Sequence, residues 1–321
     1  MPGRSNPRAA TRSGASALSR EVRAGPRISF TARFAFVLVA GVVAAIIVAP
    51  IVAVAVSAAG WRYPFPRIFD RTVMGALLVA MLFAARDLNL GALMRRGFEH
   101  PAGPSVARAI RGFVVAMIAI AILFGLAFWV GGGGVGNHEA AAGLIPKYLL
   151  SAIAIAFIEE AFFRAFLLGG MKGDFGNRVA LIASAAIYAI AHLVRSPARF
   201  YVTGYEPAAG LITLAHSVDQ FADPTIAIPT LIGLFLLGLV LGEAYILTGS
   251  VYFSIGLHCG FVLGAKMWPK IILNRAAISW WLAGGGPVPM IGGAVAWMIA
   301  MVIFATLRPI TGSQRKEIRT S

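Results

Sequence analysis

Apolar residues in this chain occur in long unbroken runs, separated by short polar segments rich in arginine, glycine and proline. Eight runs are read, at 34–59, 72–85, 109–130, 144–169, 179–194, 226–247, 251–268 and 288–307. A helix needs about 20 predominantly apolar residues to cross a bilayer, where no water satisfies exposed backbone groups. The pattern predicts an all-α, polytopic membrane protein with about eight transmembrane helices. The first run ends in small residues that mimic a signal-peptidase site, but at about 25 residues it is too long for a signal-peptide core and is read as a retained span.

Composition agrees: 59% of the 321 residues are hydrophobic and only 13% charged, with a mean hydropathy of +0.80. A net charge of +15 would suggest nucleic acid as the partner of a soluble protein. Here the basic residues occur mainly at the termini and in the loops, where they act as topology signals, so the partner is the lipid bilayer and no nucleic acid is expected. With the N-terminus inside, 18 Lys and Arg fall on the cytoplasmic side and nine on the other. That bias predicts an inner-membrane protein with both termini cytoplasmic; Arg62, Arg67 and Arg71 in the first outer loop run against it.

Five regions follow. Residues 1–33 form a basic cytoplasmic N-terminus expected to be disordered, 34–143 N-terminal spans, 144–268 a core, 269–307 an outer loop and last span, and 308–321 a cytoplasmic tail. The glycine-rich run 131–143 reads as a flexible outer loop. In the long loop 195–225, Leu211, Ile212, Leu214 and Val218 recur at helical spacing, as in a segment lying along the membrane surface. No repeat and no soluble domain is evident.

The core holds the chemistry. Glu159, Glu160 and Arg164 interrupt the run 144–168, and ionisable groups at that depth cost a few kcal/mol or more each, so they should face a protein interior or wet cavity and have a function. On a helix Glu160 and Arg164, four apart, lie about 40° from each other, whereas Glu159 is about 140° from Arg164. Glu160 is the structural partner of Arg164, and Glu159 is left free as a general base. In the fifth run Tyr188 and His192 share a face. Gly238 and Gly242 make a small-residue stripe that permits close helix approach, and Thr248-Gly249-Ser250 is a tight turn that places His258 on the next helix. Glu243 lies near the cytoplasmic end, within reach of the interface.

One glutamate and two histidines thus arrive on three helices. They suit an open zinc site with Glu159, His192 and His258 as ligands, a metal-free site in which Glu and His deprotonate water and a second His stabilises the oxyanion, or a proton relay in a transporter. A transporter usually shows repeated halves with paired broken helices, and no such repeat is found. Counted along straight helices, Glu159, His192 and His258 sit at about 15, 21 and 10 Å depth, so tilt is needed to join them. The one cysteine, Cys259, excludes an intrachain disulfide and reads as an apolar filler rather than a nucleophile.

In order, these residues resemble the family of CAAX-protease-like and bacteriocin-processing (CPBP, Abi) intramembrane proteases, which includes the type II CAAX prenyl endopeptidases. Glu159-Glu160-x-x-x-Arg164 matches the first motif, Tyr188-x-x-x-His192 the second with Tyr in place of Phe, and Phe235, Gly238, Gly242, Thr248-Gly249-Ser250 and His258 the third. The resemblance covers about 145–265. It departs at the family's last motif, His-x-x-x-Asn or Asp, where Val262 follows His258. The resemblance implies an enclosed eight-helix site that hydrolyses a peptide bond of a peptide or membrane-anchored protein. The first Glu and first His would activate water, and His258 would bind the oxyanion with a donor that Val262 does not supply. Zinc remains possible, as does a catalytically weak relative acting in peptide binding, immunity or scaffolding.

Overall fold

The computed structural model of the protein describes residues 28–99, 102–130, 134–135, 138–196, 199–273, 280–283 and 290–317. Helix α1 is Phe30–Ala58, α2 is Phe65–Phe83, α3 is Leu90–Gly97 and α4 is Ala102–Trp129. The helix α5, His138–Glu160, runs directly into a π-helical segment, Ala161–Leu168, and on into α6, Gly169–Leu193. After α7, Ala209–His216, come α8, Pro224–Thr248, α9, Tyr252–Ile271, α10, Trp280–Ala283, and α11, Ala294–Glu317. Each of the eight apolar runs lies wholly or largely in a helix, and the fold is all-α in character. Among the described residues, four segments are long and apolar enough to cross a membrane by length and composition: Phe30–Ala58, Ser105–Trp129, Pro224–Thr248 and Ala294–Thr311.

The differences from the sequence reading have local causes. Helix α1 begins at Phe30, before residue 33, because Ser29 Oγ accepts from Ala32 N–H at 3.2 Å and the Asp174 carboxylate accepts from Phe30 and Thr31 N–H at 3.2 and 2.7 Å. Those donors would otherwise be orphaned at the helix start. Residues 1–27 lie outside the described residues. The stretch 131–143 is not one loop: Gly134–Val135 forms a strand, β1, antiparallel to Ile272–Leu273, β2, and α5 begins at His138. The surface helix expected in 195–225 is α7, with Leu211, Ile212 and the following Val218 exposed while Gly210 packs on the Ile46 carbonyl of α1.

Gly176 breaks α6 with φ 73° and ψ 174°, the left-handed region that glycine enters without a Cβ penalty. The chain folds back there, since Phe163 and Tyr188 rings meet at 5.0 Å, whereas 25 residues of straight helix would span about 37 Å. Helix α6 then packs on α8, α8 on α11, and α9 on both α4 and α5.

In lipid the hydrophobic drive between helices is absent, so contact depends on close van der Waals packing. The stripe on α8 serves that end: a Cβ on Gly238 would lie 3.0 Å from Ala185 Cα, and one on Gly242 would press into Leu181. Between α4 and α9 the fit is closer still, for a Cβ on Gly112 would overlap the Phe253 carbonyl and one on Gly256 the Ala109 carbonyl.

Candidate active site

The two glutamates end α5, and the chain widens to a π-helix immediately after them, where the Gly169 N–H reaches back to the carbonyl of Arg164, five residues earlier. Widened helical turns cluster at functional sites because they re-aim side chains that a regular helix would hold apart. Here Phe163, Arg164, Ala165, Phe166, Leu167 and Leu168 are all buried. Arg164 therefore sits fully inside the protein, stacked over the rings of Tyr188 at 5.1 Å and Phe163 at 5.9 Å.

Glu160 is also fully buried, and its two oxygens do different things. Oε2 accepts from Arg164 Nε at 3.2 Å, the expected pair. Oε1 lies 2.9 Å from His258 Nδ1, a contact that sequence reasoning missed because α9 is brought to α5 by packing alone. Glu159 faces the other way and keeps 27% of its side chain exposed. His192 Nε2 lies 3.4 Å and His258 Nε2 3.8 Å from the same atom, Glu159 Oε2. That oxygen is buried and has no hydrogen-bond donor among the described residues.

The histidines are set by their other nitrogens. His192 Nδ1 lies 2.8 Å from the Tyr188 carbonyl; a carbonyl only accepts, so Nδ1 carries the hydrogen and neutral His192 presents an Nε2 lone pair towards Glu159. His258 Nδ1 donates to the Glu160 carboxylate, which is shared with Arg164. The Tyr188 ring lies between the two, its centroid 4.2 Å from that of His192 and 6.2 Å from that of His258.

The depth discrepancy between Glu159 and His192 disappears at the Gly176 turn. Glu159 is 17 residues before it and His192 16 after it, so the two arms of the hairpin reach the same level. One glutamate and two imidazoles are a zinc-type donor set, but among the described residues no group of three His, Cys, Asp or Glu side chains is arranged to hold a metal ion. The imidazoles stand off Glu159 by unequal gaps, and one is held by Glu160.

Cys259 is a buried free thiol in an apolar cluster with Ala152, Ala156, Leu263 and Met267, and Val262 packs against that cluster. Glu243 approaches the largely exposed Arg308 of α11 at 3.8 Å.

A helical membrane protein with buried and half-buried carboxylates and imidazoles gathered from three helices is the class that this fold and site define. Residues 141–264 match the family model for Rce1-like type II CAAX prenyl endopeptidases. That segment holds Glu159, Glu160, Arg164, His192 and His258, and its similarity is consistent with a CAAX-protease-like domain of the CPBP type. No curated protein and no solved structure matches the chain significantly.

Proposed function

We propose that the protein hydrolyses a peptide bond of a peptide or membrane-anchored protein, with Glu159 and His192 activating water and His258 binding the oxyanion. The observation that carries this is the approach of both imidazole Nε2 atoms to one orphaned oxygen, Glu159 Oε2. A water held there loses a proton to the Glu159–His192 pair as its oxygen bonds to the carbonyl carbon. The carbonyl oxygen becomes negative and is bound by the His258 ring, which Glu160 orients. The C–N bond then breaks, and the proton held by the pair passes to the leaving amine. Glu160 and Arg164 position His258 without touching substrate. Burial supports the scheme, since charges in a dry site act more strongly on developing charge than they would in water.

The charge bias of the loops supports an inner-membrane location with both termini cytoplasmic. A second reading, a catalytically weak protein that binds a peptide, draws on Val262, which packs in an apolar cluster and supplies no donor.

Wild type and Glu159→Gln in proteoliposomes, offered membrane-anchored peptides of varied sequence and read by product mass, separate these readings. Loss of cleavage by about 10²-fold or more in a variant that still folds is expected; undiminished cleavage overturns the base assignment. Activity should survive a chelator, and a loss reversed by zinc would overturn the metal-free scheme.

A further inference from the structure

Helices α1 and α2 line a long apolar furrow, about 990 Å³ in volume, to which none of the Glu–His residues contributes. Its walls are two stripes of residues four apart, which on a helix fall along one face. On α2 the stripe reads Arg67, Arg71, Gly75, Val79 and Phe83. The middle is wide because the facing residues are small: a Cβ on Gly75 would meet nothing within 4 Å. Trp61 and Tyr63, both exposed, stand at the arginine end, the placement of aromatic side chains at a membrane–water boundary.

The two arginines are out of keeping with the apolar wall. Both are exposed, one turn apart on the same face, and among the described residues neither makes an ion pair with a carboxylate. Arg71 Nη1 points at the Met74 sulfur at 3.6 Å. A guanidinium facing lipid is costly unless an anion meets it, and the anion that lipid itself offers is a phosphate, which arginine binds with short charge-assisted hydrogen bonds. From Arg71 to Phe83 the furrow runs about 18 Å, close to the roughly 15 Å depth of one leaflet.

We propose that this furrow is a binding site for an anionic phospholipid, with its phosphate between Arg67 and Arg71 and one acyl chain laid along Gly75 to Phe83. The net negative headgroup follows from charge complementarity, since a zwitterionic lipid would bring its own ammonium cation to two guanidiniums that make no ion pair with a carboxylate among the described residues. The site is independent of the proteolytic reading. It also gives a reason for basic residues in a loop where the positive-inside pattern disfavours them: they serve as ligands there and not as topology signals.

The test uses the full chain in nanodiscs of phosphatidylcholine alone or with phosphatidylglycerol, read by thermal midpoint and by the lipid retained in native mass spectrometry. The expected result is one retained phosphatidylglycerol and a higher midpoint in its presence. Arg67→Gln with Arg71→Gln should lose both effects. Gly75→Leu, which fills the furrow and leaves both arginines in place, should lose the retained lipid. Equal retention of phosphatidylcholine, a midpoint shift that persists in the double variant, or an adduct that survives Gly75→Leu would each overturn the proposal. So would a second protein chain seated on the furrow, seen as dimer mass. If the double variant does not fold, Arg67→Gln alone and Gly75→Leu decide the matter by the same two readouts.

Discussion

Glu160 Oε1 and His258 Nδ1 are 2.9 Å apart and 98 residues distant in sequence. The carboxylate that pairs with Arg164 on its own helix also orients an imidazole on another, so the second glutamate of the adjacent pair belongs to the site as well as to the scaffold.

Glu160→Gln should therefore lower abundance and cleavage together. The change leaves Arg164, fully buried, without its anion, and breaking one partner of a buried pair costs about 3–5 kcal/mol. Membrane levels by quantitative blotting, with activity normalised to them, check this. Normal abundance with normal specific activity would remove Glu160 from both roles.

Val262→Asn should raise the turnover of any cleavable substrate. One oxyanion donor is worth roughly 10²–10³ in rate, and His258 and residue 262 stand one turn apart on α9. Ser254 is no substitute as it stands, because its buried hydroxyl is shared between the Val251 carbonyl at 2.9 Å and the Glu160 carboxylate. Steady-state kinetics of the variant give the answer. Unchanged or slower turnover would mean that a different group completes the oxyanion site.

Asp174→Asn should loosen the start of α1. Burial by itself would raise the Asp174 carboxyl, but the Thr31 hydroxyl, the Thr31 and Phe30 N–H groups and the Arg33 charge together hold it below its ordinary value. A carboxyl lowered in the folded state stabilises it above the ordinary value of about 3.9 and loses that contribution as pH falls through the folded one. The variant should exchange the Phe30 and Thr31 amides faster at neutral pH, and wild type should approach that rate only in strong acid. Loss of a cap of this kind costs about 1 kcal/mol.

Reporter fusions after Gly136 and after Gly173 should report opposite compartments, with Gly173 cytoplasmic. The chain between them is α5, the π segment and the first turn of α6, which is a single passage. The same compartment for both would refute that topology.

The parts of this protein that sequence displays are those governed by local periodicity. Glu160 with Arg164, Tyr188 with His192, and Gly238 with Gly242 are all four apart, and each pair occupies one helix face in the structure. The helical fold is legible for the same reason. What stays hidden depends on partners far along the chain. Asp174 capping Thr31 is a contact over 143 residues, and nothing near residue 30 announces it. The π segment leaves no mark because eight residues that are nearly all apolar read alike with a four-residue or a five-residue hydrogen-bond step. Depth counted along the sequence errs because the apolar run ends at 169, whereas the helix continues to a glycine seven residues later.

The contact of α4 with α9, where Gly112 lies under one carbonyl and Gly256 under another, has a consequence for any mutational scan of this protein. Scored by activity alone, these glycines should appear as intolerant as Glu159, since even alanine forces two backbones apart. A map of that kind would draw a second apparent centre along the α4–α9 seam, set by helix packing. Scoring abundance in parallel would dissolve it, leaving the residues whose loss silences the protein without removing it.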